Sequence, residues 1–308
     1  MELRDIARPG LMISNTEPEA REVEGRTLEV LEQAMELDFF EAYHTVEVPY
    51  AAERVRIARH ARAHNLRITY CVTRILNDNK LDLSALDERL RKTSVEKLVP
   101  HFDDAVEMGC DAVQVISGAA ETEAERRSEQ LRQFEKSWLE LCSAGQEKGV
   151  KVIVEPLDVG AHKKKAVGYS REAMEMARNL SAKVDNAFLC LDSSHMILNG
   201  EDVVSSVCEA MEYIDEFHLC NPVLKRENPL YGDRHIKLGA PGELDIEAAG
   251  HLMAEFWRAG FLSRLRRPKL FLEVRNENEA VGDLIRYSRQ TLVDAWAIAR
   301  CELGECGK

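Results

Sequence analysis

No stretch of this sequence approaches the roughly 18 uninterrupted apolar residues that a membrane-spanning helix requires. The first residues, MELRDIARPG, carry no basic segment followed by an apolar one, so a cytoplasmic location is expected. A cationic surplus is missing as well: 41 Lys and Arg stand against 54 Asp and Glu, a formal charge of −13. Sequence-independent attraction to DNA or anionic lipid needs the opposite balance. Neither nucleic acid nor membrane is therefore an expected partner, although a local basic pocket stays open. The eight cysteines (71, 110, 142, 190, 208, 220, 301 and 306) include no CxxC pair. That scatter fits a reducing compartment better than a disulfide framework, and most are expected to be small core residues. A proline-rich or low-complexity linker is also lacking. Residues 1–308 are accordingly read as one domain, a length that α/β barrels reach without splitting.

What is present is an alternation of strand and helix signals. Apolar strand candidates occur at 10–14 (GLMIS), 39–45 (FFEAYHT), 66–73 (LRITYCVT), 111–117 (DAVQVIS), 150–157 (VKVIVEPL), 187–192 (AFLCLD), 214–219 (IDEFHL) and 269–274 (KLFLEV). Helical periodicity fills the intervals. Leu28, Leu31 and Met35 share a face within 26–37, and Leu131, Phe134, Trp138 and Leu141 recur three and four apart after the fourth strand. Further helices are expected at 51–65, along a long run from 81 towards 108, at 170–180 and 202–211, from about 246, and from 280 to about 303. An irregular segment rich in Asn, Pro and Gly, at about 221–245, separates the seventh strand from its helix. Alternating strands and helices imply a parallel sheet with right-handed crossovers. An open dinucleotide-binding sheet would want a G-x-G-x-x-G turn after an early strand, and none occurs. Eight units point instead to a single (β/α)8 TIM barrel.

In such a barrel, chemistry sits at the C-terminal ends of the strands. Four late strands carry polar groups there: Glu155 after Val154, Asp192 after Leu191, His218 between Phe217 and Leu219, and Glu273 after Leu272. Each is embedded in an apolar run, where an unpaired polar group would cost several kcal/mol. One such carboxylate alone reads equally well as the partner of an arginine, and one such histidine as a core residue bonded to backbone. Three carboxylates converging on one mouth repel each other unless a cation lies among them. Glu155, Asp192, His218 and Glu273 are thus the expected ligands of one divalent metal. Three oxygens and an imidazole suit Mn²⁺ first, with Mg²⁺, Co²⁺ or Zn²⁺ also open.

The pattern of E-P at strand five, L-D-x-x-H at strand six, F-H-L on strand seven, P-G-E-L-D at 241–245 and L-E at strand eight resembles the xylose-isomerase-like barrel superfamily. That group includes sugar isomerases and epimerases, inosose-processing enzymes and endonuclease IV-type nucleases. By resemblance, Glu155 and Glu273 both touch the metal and exchange a proton with the substrate carbon beside the carbonyl. A cation holding the neighbouring oxygens would stabilise the ene-diolate. His195 is then expected to bind a substrate oxygen, or else to cap local backbone. The triplet Asp233-Arg234-His235 is similar to the D-R-H of the nuclease branch. That branch also needs histidines at the ends of strands three and four, where this chain has Cys71-Val72-Thr73 and Ile116-Ser117-Gly118. Asp233, Arg234 and His235 are therefore expected on a lid over the metal, contacting substrate, with His235 available as an acid or base. The competing reading is a surface loop closed by its own ion pair. Lys163-Lys164-Lys165, with His162, offers a basic run that is either a solvated loop or an anion holder. His44 is either a substrate contact or a core histidine.

The resulting expectation is a metal-dependent sugar isomerase or epimerase. Its rival is a lyase on the same site, a dehydratase or a C-glycoside deglycosidase that expels a β-substituent from a 3-oxo sugar. The resemblance further implies a small-molecule sugar substrate and a homo-oligomer, or a small second subunit in the deglycosidase case.

Overall fold

The computed structural model describes residues 1–305, so Cys306 lies outside the described residues. Its strands are β1 (Arg8–Met12), β2 (Ala42–Thr45), β3 (Arg67–Cys71), β4 (Ala112–Val115), β5 (Lys151–Val154), β6 (Ala187–Asp192), β7 (Ile214–Leu219), β8 (Asn221–Val223), β9 (Gly232–Ile236) and β10 (Lys269–Leu272). All except β8 and β9 are parallel and close into a barrel in the order β1-β10-β7-β6-β5-β4-β3-β2. The expected (β/α)8 barrel is what forms. These strands are short and rich in Val, Ile, Leu and Phe, because both of their faces are covered.

The first helices are α1 (Ile13–Thr16), α2 (Arg26–Met35), α3 (Ala51–His64), α4 (Thr73–Asp78), α5 (Glu88–Leu98), α6 (His101–Glu107) and α7 (Ala124–Lys148). After them come α8 (Ser170–Ser181), α9 (Ser193–Leu198), α10 (Val203–Ala210), α11 (Ile246–Arg258) and α12 (Val281–Glu302). Their apolar stripes seal the outside of the barrel: Phe134, Trp138 and Leu141 of α7 are fully buried, and Phe256 packs edge-on against Phe217 of β7 at 5.0 Å between ring centres. Among the described residues no helix is long and apolar enough to cross a membrane.

Three expectations are corrected by local physics. The run 81–108 is not one helix but α5 and α6, parted at Pro100, which has no N–H to continue the ladder and serves as the N-cap of α6. The segment 221–245 is not wholly irregular, since β8 and β9 form an antiparallel hairpin within it. The first strand also ends earlier than expected, because Ile13 already enters α1, whose Thr16 hydroxyl donates to the carbonyl of Met12 at 2.9 Å.

The lumen is packed in layers. Gly10 is glycine because a Cβ there would lie 2.3 Å from a ring carbon of Phe271. That ring fills the axis together with the imidazoles of His44 and His218, all edge to face at 5.5–6.1 Å. Beneath them, Lys269, Thr69 and Glu216 form a buried polar layer, with Thr69 Oγ1 donating to Glu216 at 2.6 Å and Lys269 Nζ donating to Thr69 at 3.0 Å.

Candidate metal and catalytic site

Four adjacent strands, β10, β7, β6 and β5, each bring one predicted ligand to the C-terminal rim. A donor atom from each of Glu273, His218, Asp192 and Glu155 lies within 4.8 Å of the others. His218 Nδ1 stands 3.1 Å from Glu273 Oε2, 3.4 Å from Glu155 Oε1 and 3.8 Å from Asp192 Oδ2. Ligands at ~2.1 Å from a common ion are separated by about 3 to 3.5 Å; two of these spacings fall in that range and the one to Asp192 lies just beyond it.

The local folding of each ligand leaves one atom for that centre. Asp192 is the N-cap of α9, and its Oδ1 accepts the backbone N–H of Ser194 at 2.6 Å and of His195 at 3.3 Å. Its Oδ2 is buried with no hydrogen-bond partner among the described residues. His218 Nε2 lies 2.8 Å from Glu216 Oε1, and a ring proton held there would leave Nδ1, buried and without a hydrogen-bond partner among the described residues, to a cation. With no cation between the carboxylates, burial opposes a charge on this ring but Cys190, Glu155 and Glu216 raise it well above the usual imidazole range. Two orphaned atoms aimed at one point, flanked by two further carboxylates, fit a divalent cation. Burial, with the charges of Glu273 and Asp233 behind it, pushes Asp192 up to about 8. A cation at the centre would relieve that repulsion.

Glu155 and Glu273 are held alike. Gln114 Nε2 donates to Glu155 Oε2 at 2.6 Å, and Asn15 Nδ2 donates to Glu273 Oε1 at 3.0 Å. In each carboxylate one oxygen accepts a primary amide and the other faces the ligand centre. Burial opposes the charge on Glu273, but His235 and His218 outweigh it and hold the group well below the usual carboxylate range.

Beside this candidate metal centre, Asp233 of the hairpin gathers the remaining candidates. Its Oδ2 lies 2.9 Å from His235 Nε2, 2.9 Å from Lys163 Nζ and 3.8 Å from His195 Nε2, while Oδ1 accepts from the Ser194 hydroxyl at 2.9 Å. His195 Nδ1 faces Asp158 Oδ2 at 3.5 Å. Burial works against a charge on His195, yet Asp233, Asp158 and Asp192 raise it to about 9. His235 reaches back to Glu273 Oε1 at 3.4 Å and adopts φ +55°, a left-handed conformation that costs of order 1–3 kcal/mol unless its surroundings enforce it.

These groups line a cavity of about 420 Å3 at the barrel mouth, within the range of ~300–1,000 Å3 for small-molecule sites. His44, Glu155, Lys163, Lys165, His195, Asp233 and His235 all border it. Arg234 does not: alternation along β9 turns it to solvent while its two neighbours face inward. Of the lysine run, Lys163 and Lys165 reach the cavity. Asn15, Gln114, Asp158 and Glu216 are site residues that the sequence reading missed. Asn15 and Gln114 come from segments distant in the chain and become neighbours of Glu273 and Glu155 only on barrel closure; Glu216, two positions before His218 on β7, shares its face by strand alternation, a signal the sequence did offer.

A family model described as the xylose isomerase-like TIM barrel matches residues 32–290. No curated protein matches the sequence. Among solved structures, L-ribulose 3-epimerase is 17% identical, with 98% of this chain and 99% of that one covered at a TM-score of 0.71. The IolI protein with a bound zinc atom is 16% identical, with coverages of 94% and 97% and a TM-score of 0.70. A D-tagatose 3-epimerase-like protein is 16% identical, with coverages of 96% and 99% and a TM-score of 0.69. At such identities the likeness is one of fold.

Proposed function

This chain belongs to the xylose isomerase-like TIM-barrel family, and from that premise we propose a divalent-metal-dependent isomerase or epimerase acting on a small polyhydroxylated carbonyl compound. The observation that carries the reading is the convergence of Glu155, Asp192, His218 and Glu273, two of them with buried, unpartnered donor atoms. Three carboxylates and one neutral imidazole suit Mn²⁺ best. A bound cation supplies positive charge where negative charge develops on the substrate's carbonyl oxygen.

The chain's own residues supply the rest. Glu155 and Glu273 flank the centre from β5 and β10, so one removes the proton beside the carbonyl and the other returns it to the opposite face. Gln114 and Asn15 fix the planes of these carboxylates. His195, held protonated by Asp233 and Asp158, donates to a substrate oxygen. Lys163 and His235 stand across the same cavity, where a second oxygen would be held.

Elimination from the same intermediate is a second reading, favoured by Met12, Val46, Ile116 and Leu157, which give part of the cavity an apolar wall suited to an aglycone. Incubating the Mn²⁺-loaded protein with ketoses, inososes and 3-oxo-glycosides in deuterated water separates the two. Deuterium incorporation without loss of a substituent supports isomerisation, and release of water or aglycone supports elimination. Glu155→Gln and Glu273→Gln should each reduce turnover by roughly 10²–10⁴-fold. Unchanged turnover in either variant would overturn the assignment.

A further inference from the structure

The opposite end of the barrel holds a second cavity, of about 460 Å3, framed by the N-terminal ends of the strands. Its wall presents six cationic side chains: Arg8, Arg67, Lys151, Arg266, Arg267 and Lys269. Only two carboxylates line it, Asp111 and Asp215, so the wall carries a formal charge of six minus two, or +4. The whole chain carries −13. This concentration of cations runs against the composition.

Both carboxylates are already engaged. Lys269, almost fully buried, lies 3.1 Å from Asp111 Oδ2 and 2.9 Å from Asp215 Oδ2, and Lys151 pairs with Asp215 Oδ1. Just outside the wall, Glu41 serves three arginines at once: Arg4 at 3.0 Å, Arg8 at 3.4 Å and Arg267 at 2.5 Å. The guanidinium groups of Arg67, partly buried, and Arg266, exposed and donating to the Met211 carbonyl, form no ion pair with a carboxylate among the described residues. Burial lowers the Arg8 guanidinium, and repulsion from Arg267 and Arg67 lowers it further. Like charges crowded without compensation in a concave, partly desolvated chamber are stabilised by an anion. Arginine forks present paired N–H donors that match a tetrahedral oxyanion.

We propose that this chamber is a binding site for a small oxyanion of the phosphate class, inorganic phosphate or a phosphate monoester, held chiefly by Arg67, Arg266 and Arg8. It is separate from the metal centre, being at the other pole of the barrel, and it does not depend on the reaction assigned there.

The test is binding of inorganic phosphate and, in a parallel arm, glycerol phosphate to the metal-loaded protein, by calorimetry and by thermal shift. Sodium chloride at matched ionic strength serves as the control. A saturable stabilisation beyond that of chloride is expected, and whichever anion binds more tightly names the source. Arg67→Gln with Arg266→Gln should weaken binding at least ~10-fold, since each charge-assisted hydrogen bond contributes appreciably. Lys163→Ala, at the barrel mouth, should leave binding intact. Arg67→Lys, which keeps the charge, should retain part of the affinity. No saturable binding, an effect equalled by chloride, or loss in Lys163→Ala with retention in the arginine variant would each overturn the proposal.

Discussion

Primary amides hold both carboxylates that are proposed to move protons. Gln114 and Asn15 each leave one oxygen of Glu155 or Glu273 for the metal centre and occupy the other. Such supporting hydrogen bonds orient a carboxylate without touching substrate, and their loss typically costs ~10–100-fold in activity or metal affinity. Gln114→Ala and Asn15→Ala should therefore lower kcat by that margin while KM changes little, measured by steady-state kinetics on whichever sugar proves active. Glu216 acts similarly on His218, contacting Nε2 at 2.8 Å and leaving Nδ1 free. Glu216→Leu removes that acceptor, and the Mn²⁺ dissociation constant by titration should rise about 10–100-fold. The four converging residues were legible from position, as polar residues closing apolar runs. Their supporting residues were not, because Gln114 and Asn15 carry no local pattern and gain meaning only beside Glu155 and Glu273.

Two short elements shape the cavity. Helix α9 begins on Asp192, so one carboxylate both caps the helix and faces the metal centre, which places His195 one turn away. The β8–β9 hairpin then lays Asp233 and His235 over that helix, with Asp233 bonded to Ser194 and its backbone N–H donating to His162 Nδ1 at 3.2 Å. Gly232 permits this approach: its φ is +93°, and a Cβ would meet the His162 ring at 2.6 Å. Gly232→Ala should displace Asp233 and lower kcat/KM at least ~10-fold, while local strain of a few kcal/mol leaves the barrel folded. A large loss of thermal stability with unchanged kcat/KM would contradict this role. The hairpin escaped the sequence reading because Gly232–Ile236 (GDRHI) offers no apolar alternation and its strand character comes from pairing with β8. Pro100, by contrast, is a break visible in the sequence that the long helical periodicity around it overrode.

Across the whole molecule, a polar column links the two ends of the barrel. Lys269 lies between Asp215 and Glu216, and Glu216 contacts His218 beneath the metal centre. Burial opposes the charge of Asp215, but Lys269 and Lys151 hold its carboxyl down at about 2. A carboxyl depressed on folding contributes stability that is present above the unfolded value near ~4 and is lost as pH falls through the folded value. Asp215→Asn should thus destabilise the protein by about 3 kcal/mol or more near neutrality, since it leaves buried Lys269 short of a partner. In denaturant titrations the gap to the parent should narrow from about pH 4 down towards pH 2. A gap independent of pH would contradict the assignment. Chelation acts at the other end: with metal at a hundredfold excess over its dissociation constant, removal should cost ~2.7 kcal/mol and lower Tm by about 5 °C or more, reversed by Mn²⁺. From the sequence alone came the number and chain order of the eight barrel strands and the polar residues at the ends of the late ones, because burial on both faces writes each parallel strand as an apolar run and makes a terminal charge conspicuous. Tertiary structure alone decided which lone pairs meet, that Arg234 turns away while Asp233 and His235 turn in, and that scattered arginines at strand starts share one chamber. Closure of a barrel brings together residues up to hundreds of positions apart, and no local periodicity records which of them will face one another.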